Sequence, residues 1–241
     1  FLILLGCFQP NLNNFPIRML SPKTLQFLED LKENNNRDWF QANKPYYEEY
    51  KKEYHRLIAD FLEEMAPHDE SLRTLEPKKC AFRINRDIRF SKDKSPYKTH
   101  MGIWMTTDQN CGNAPGYYVH IEKGGSFIAA GLHVPEAPDL KKIRKEIAYF
   151  YEDLEEIFAD KDFKKIYSGF DRNESNSLKT APKDYEKDHP AIEFLKLKSF
   201  TVTQKLDDKS LLEKDFVKKT AKKLIVAKPL NDFLTRGLNT E

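Results

Sequence analysis

The sequence predicts an α+β fold: a mainly antiparallel sheet, a meander plus one late strand, flanked by N-terminal and C-terminal helices. Three observations carry this. The hydrophobic period is near 3.6 before Pro67, changes to 2 after Cys80, and returns to 3.6 after Pro138. The strand-like stretches are joined by short links, which antiparallel neighbours allow and parallel crossovers do not. Strands and helices are grouped rather than alternating, which excludes a βαβ architecture.

Each element has its own signal. Ser21-Pro22 combines a hydroxyl N-cap with proline in the first turn, and Leu25, Leu28 and Leu31 follow at helical spacing until three asparagines, 34–36, stop the helix. A second helix is predicted over 45–65, with Tyr46, Tyr50, Tyr54, Leu57, Phe61 and Met65 as its apolar stripe. From 82 to 90 apolar and charged residues alternate, which predicts a strand. Further strands are expected over 100–106, in "YYVHIEK" and in "SFIAAGLH", the last two joined at Gly124-Gly125. The spacing predicts one helix over 139–158, an irregular polar stretch over 160–188, and a short helix in "AIEFLKLK" after Pro190. "SFTVTQK" reads as the late strand. A long helix is expected over 207–227, acidic at its start as the dipole prefers, with Pro229 breaking it before one or two terminal turns.

Residues 19–241 are expected to form a single α+β domain. Residues 1–18 read as an extension outside it, because Met19 opens the patterned region. Their apolar run is far shorter than the roughly 20 residues of a membrane span. The alternative reading is a clipped signal whose lipobox-like "LLGC" places a lipid on Cys7. Net charge is only +2, which argues against a generic nucleic-acid coat, so the placement of charge matters more than its sum. The three cysteines, Cys7, Cys80 and Cys111, form no CxxC pair, which favours a reducing, cytoplasmic setting over a disulfide scaffold or a cysteine-rich zinc site.

The segment "FRINRDIRFSKDKSPYKTHMGIW", 82–104, concentrates cation against that balanced background. It carries Arg83, Arg86, Arg89, Lys92, Lys94 and Lys98, opposed by Asp87 and Asp93. Arg86 falls on the parity of Phe82, Ile84, Ile88 and Phe90, where a guanidinium is costly unless paired or turned outward. Two readings follow: a bulge that turns Arg86 out, with Asp87 as its salt partner, or a buried arginine reaching a cleft. Arginine forks and lysine point charges suit phosphate and carboxylate groups. Arg83, Arg86, Arg89, Lys94, Lys98 and His100, with Tyr97 and Tyr118 shaping the pocket, are therefore the candidate ligand-binding residues. Asp87 and His120 are the candidate catalytic pair. A charged hairpin loop that is simply solvated is the plainer alternative.

His100 and His120 are expected on neighbouring strands, where one face could hold both near Asp87. No HExxH or similar close spacing is present, so no metal-ligand set is assigned. Trp39 and Phe40 read as core plugs. The lysine-rich stretch 214–228 reads as an amphipathic helix with a solvated face. No phosphate-binding glycine loop, GxGxxG or GxSxG elbow occurs.

Three blocks, "FLEDLKENNNRDWFQANKPYYEE", "FRINRDIRFSKDKSPYKTHMGIW" and "KDHPAIEFLKLKSFTVTQKL", together resemble domain of unknown function 2461, a family widespread in bacteria with some fungal relatives. The likeness runs over about 19–236. It implies a single cytoplasmic domain and carries over no reaction, cofactor or catalytic residue. The leading expectation is therefore an anionic, phosphate-bearing small-molecule ligand held by the basic segment, with or without catalysis. The alternatives are a non-catalytic scaffold for nucleic acid or protein, and a metal-dependent hydrolase using His100, His120 and a nearby acid.

Overall fold

The computed structural model describes residues 20–106 and 114–240. Helix α1 (Pro22–Glu33) begins as its sequence dictates: the Ser21 hydroxyl accepts from the Thr24 amide at 3.2 Å. It ends where Asn34 turns both its backbone and side-chain N–H onto the Asp30 carbonyl. A short α2 (Arg37–Ala42), capped by Asn36, separates it from α3 (Lys44–Met65). Tyr50, Tyr54, Leu57, Phe61 and Met65 of the expected stripe are buried, whereas Tyr46 is exposed.

Four strands, β1 (Met101–Thr106), β2 (Gly116–Ile121), β3 (Phe127–Leu132) and β4 (Phe200–Lys205), form an antiparallel sheet in the order β1-β2-β3-β4. The late strand pairs with β3, closing the meander as a fourth neighbour. Gly131 permits this junction: its φ is +115°, and a Cβ there would lie 2.0 Å from the Phe200 carbonyl oxygen. One face, with Met101, Ile103, Met105, Tyr117, Val119, Ile121, Ile128, Leu132, Phe200 and Val202, is buried. α3, α9 (Phe216–Ile225) and α10 (Lys228–Asn239) pack on the sheet, and Phe61 meets Phe216 edge-on across α3 and α9. The opposite face carries Gly102, Trp104, Tyr118, His120 and Phe127, and its larger side chains are half-buried.

Four expectations need correction. First, 82–90 is not a regular strand. It makes only the single bridge Asn85↔Tyr97, through Arg86 N–H to the Pro96 carbonyl and Lys98 N–H to the Ile84 carbonyl, after the isolated bridge Ala81↔Ile103 that precedes it, and Phe90 is 94% exposed. The alternation there has no buried face to serve. Second, the helix over 139–158 is two, α5 (Ala137–Tyr149) and α6 (Tyr151–Ala159), parted at Phe150. Arg236 of α10 spans the break, pairing with Glu146 and Asp153 and lying over the Phe150 ring at 4.6 Å. Third, the helix over 207–227 divides into a 3₁₀ turn (Asp208–Leu212) and α9, with Glu213 extended between them. Fourth, the helical structure after the break at Pro229 exceeds one or two turns: α10 has 12 residues, with Pro229 in its first turn, where a missing N–H costs nothing. A 3₁₀ turn (Glu70–Leu72) and the short helices α4 (Pro77–Cys80), α7 (Lys161–Ile166) and α8 (Ile192–Leu195) complete the elements among the described residues. Cys7 and Cys111 lie outside them. Within them, no helix is long and apolar enough to cross a membrane.

Candidate functional site

The basic segment divides in two. At its tip, Arg86, Arg89 and Lys94 are engaged locally, while Lys92 is exposed. Arg86 pairs with Asp93, not with Asp87, and donates to the Ser95 carbonyl at 3.1 Å. The Asp93 carboxyl is held well below its usual range by hydrogen bonds from Ser95 and by Arg86. Arg89 forks onto Asp87 at 2.7–3.3 Å, and Lys94 donates to the Ile88 carbonyl at 3.0 Å. Arg86 thus follows neither reading: with 27% of its side chain exposed it folds back over the loop as a staple. Tyr97 is also structural: it is 7% exposed, stacks on Phe40 at 4.1 Å, and exchanges two backbone bonds with the Asn35 amide.

At the base, Arg83, Lys98 and His100 line a cavity of about 300 Å³ with Lys51 and His55 of α3 and Lys78 of α4. Tyr54 and Phe82 wall it. The lining contains four lysine or arginine side chains and two histidines but no carboxylate. None of the four cations has an ion-pair partner among the described residues; Lys98 instead donates to the Arg83 carbonyl at 3.0 Å and lies over the Phe82 ring. Burial and then Arg83 lower the Lys98 pKa, and burial followed by Lys51 and Lys78 lowers that of His55. The Tyr54 hydroxyl braces the wall, donating to the Gly102 carbonyl and accepting from the Phe82 amide at 3.0 Å.

Beside the cavity, the half-buried face of the sheet gathers the histidines. The β1–β2 register pairs Gly102 with His120. Continued by two residues, it places His100 opposite Glu122 on the same face. The His100 and His120 rings stack at 4.4 Å, and Phe127 stacks on the other side of His120 at 4.7 Å. Gly102 makes room: a Cβ there would come within 2.8 Å of the Tyr118 hydroxyl. That hydroxyl bonds His120 Nδ1 at 3.0 Å, while Nε2 faces Glu122 Oε2 at 3.3 Å. Lys32 of α1 holds the other Glu122 oxygen at 3.3 Å. Burial, then the adjacent His120, pushes His100 down to about 4, so it is neutral at physiological pH. Burial pushes Glu122 up, but bonds from His120 and Lys32 outweigh it and leave the carboxyl below its ordinary value. Burial raises the Tyr118 phenol to about 12. Donor atoms of His100, His120 and Glu122 all lie within 4.8 Å of one another.

Of the sequence-predicted residues, then, the fold brings together Arg83, Lys98 and His100 at the cavity and Tyr118 and His120 beside it. Arg86, Arg89, Lys94 and Asp87 belong to the tip, and Tyr97 to the core. Sequence reasoning passed over Lys51, His55 and Lys78, which reach the cavity from distant elements with no local signal. It also missed Glu122, although period-two spacing in "HIE" puts it on the face of His120.

A second hollow of about 470 Å³ lies near the Thr106 and Gly116 ends of β1 and β2, with Asp69, Thr106, Pro115 and Asn231 in its lining.

The family model described as conserved hypothetical protein (DUF2461) matches residues 23–233. The chain belongs to that family. No curated protein and no solved structure matches it.

Proposed function

We propose that this DUF2461 member binds a small anionic ligand, a phosphate ester or carboxylate, in the cavity between α3, α4 and the base of the basic segment. The observation that supports it is the charge imbalance of the lining: Lys51, Lys78, Arg83 and Lys98 with no acid among them. Cations gathered around a lining that holds no acid repel one another, with Asp87 outside the lining acting on Arg83 alone, and an anion in the cavity relieves that repulsion while gaining charge-assisted hydrogen bonds. Phe82 and Tyr54 supply an apolar wall for the rest of the ligand. A reducing, cytoplasmic setting accords with Cys80, a free, buried thiol.

The test is a thermal-shift screen of inorganic phosphate, phosphorylated metabolites and nucleotides, repeated with Arg83→Ala and Lys98→Ala. A ligand bound only by the folded state raises Tm as its concentration exceeds Kd. Stabilisation that disappears in both variants supports the reading; a protein that no anion stabilises refutes it. Preferential, steeply salt-dependent binding of long oligonucleotides would instead support the nucleic-acid scaffold.

A further inference from the structure

We propose that His100, His120 and Glu122 form a binding site for a divalent transition-metal ion at the edge of the cavity. Three features carry it. The donor set is two imidazoles and one carboxylate, the composition of sites that hold zinc or a similar ion with at least one coordination position left open. The donor atoms already lie within 4.8 Å of one another, His120 within β2 and His100 and Glu122 one residue beyond the paired ends of β1 and β2. And the atoms on the far side of two ligands are already held. Tyr118 occupies His120 Nδ1, and Lys32 occupies Glu122 Oε1, which leaves Nε2 and Oε2 facing each other. Outer partners that fix ring orientation and carboxylate position are what a ligated histidine and glutamate require.

The ring of His120 is clamped between His100 and Phe127, so its edge can present a nitrogen without swinging away. Its hydrogen bonds specify the chemistry of loading. Without metal, the Tyr118 hydroxyl donates to Nδ1 and Nε2–H donates to Glu122. With metal, the ring proton resides on Nδ1 and is donated to the Tyr118 oxygen, while the Nε2 lone pair takes the ion. Tyr118 can act in either sense because a phenol both donates and accepts. His100 belongs to both the cluster and the cavity lining, so the open coordination position borders the space assigned to the anion. The metal assignment stands apart from that reading, since it requires no ligand.

The experiment titrates chelator-stripped, full-length protein with Co²⁺ and then Zn²⁺, following visible Co²⁺ absorption and calorimetric heat. One equivalent of Co²⁺, displaced by Zn²⁺, is expected. His120→Ala and Glu122→Gln should each abolish stoichiometric binding, and Tyr118→Phe should weaken it by roughly 10–100-fold. Far-UV circular dichroism checks that each variant is folded; should His120→Ala fail to fold, His100→Gln takes its place. Nitrogen NMR of wild-type protein should show the His120 proton shifting from Nε2 to Nδ1 as Zn²⁺ is added. Arg83→Ala with Lys98→Ala should retain metal binding while losing stabilisation by phosphate, which separates the two proposals. Folded wild-type protein that takes up no Co²⁺ or Zn²⁺ overturns the inference, as does binding that survives loss of both His120 and Glu122.

Discussion

The base and the tip of the 82–104 segment carry the same kinds of side chain in opposite electrical situations. At the tip, Arg86 and Arg89 each have a carboxylate, Asp93 and Asp87, and Lys94 has a carbonyl. At the base, Arg83 and Lys98 join Lys51 and Lys78 around a cavity with no acid in its lining. What separates a candidate site from a solvated loop is therefore a lining without carboxylates around a concavity; a carbonyl partner does not, since Lys98 has one as Lys94 does. The density of charge along the chain does not distinguish them.

That comparison can be broken or sharpened in four ways. The largest effect is expected from Tyr97→Ala, which removes the ring that ties the base to Phe40 and opens a cavity in the core. A loss of about 3 kcal/mol in chemical denaturation follows from the usual cost of truncating a buried aromatic. A variant as stable as wild type would show that the ring does not anchor the segment. Next, removing Arg83 or Lys98 should weaken binding of any stabilising phosphate ligand by about tenfold or more for each charge-assisted bond lost. Calorimetry measures that loss directly, and unchanged affinity would dissolve the distinction between base and tip.

Arg86→Ala should do the reverse. It removes the loop staple, lowering Tm by roughly 2–4 °C, the shift expected for a modest interaction in a domain of this size, and it should leave phosphate affinity unchanged. Its deficit should also depend on pH with a definite sign. The folded Asp93 carboxyl titrates far below its ordinary 3.8, so its contribution is complete above that value and is lost as pH falls further. The gap between wild type and Arg86→Ala should accordingly stay constant from neutrality to about pH 4 and narrow in stronger acid; a gap that closes near neutrality would contradict the assignment. The smallest effect is expected from Arg89→Ala. Its side chain is 75% exposed and touches only its near neighbours, Asp87 and the ring of Phe90, so both Tm and ligand affinity should be nearly unchanged.

Much of the architecture was legible because it is local. The Ser21 cap, the stripe from Tyr50 to Met65, the Gly124-Gly125 turn and the "SFTVTQK" strand each follow from propensity or period, which neighbouring residues suffice to set. Where the reading failed, distant residues had intervened. Arg236 spans a break at Phe150 that helical periodicity does not register, and Asn35 captures Tyr97 from 62 positions away. The alternation over 82–90 looked like a strand, but a strand pattern has meaning only where the tertiary structure supplies a partner and a buried face.

The candidate site divides along the same line. The sequence by itself determined an α+β meander, a cation-rich segment, and histidines at 100 and 120 on or beside adjoining strands, His100 lying one residue before β1. It also contained, unread, the same-face relation of His120 and Glu122. Only the tertiary structure decided which cations lack counter-charges, because Lys51, His55 and Lys78 arrive from other elements. Likewise only strand register sets His100 beside His120 and Glu122. The physical reason is one of range. Backbone preference and side-chain period act over a few residues, whereas electrostatic balance and metal geometry depend on distances in space between groups far apart in the chain.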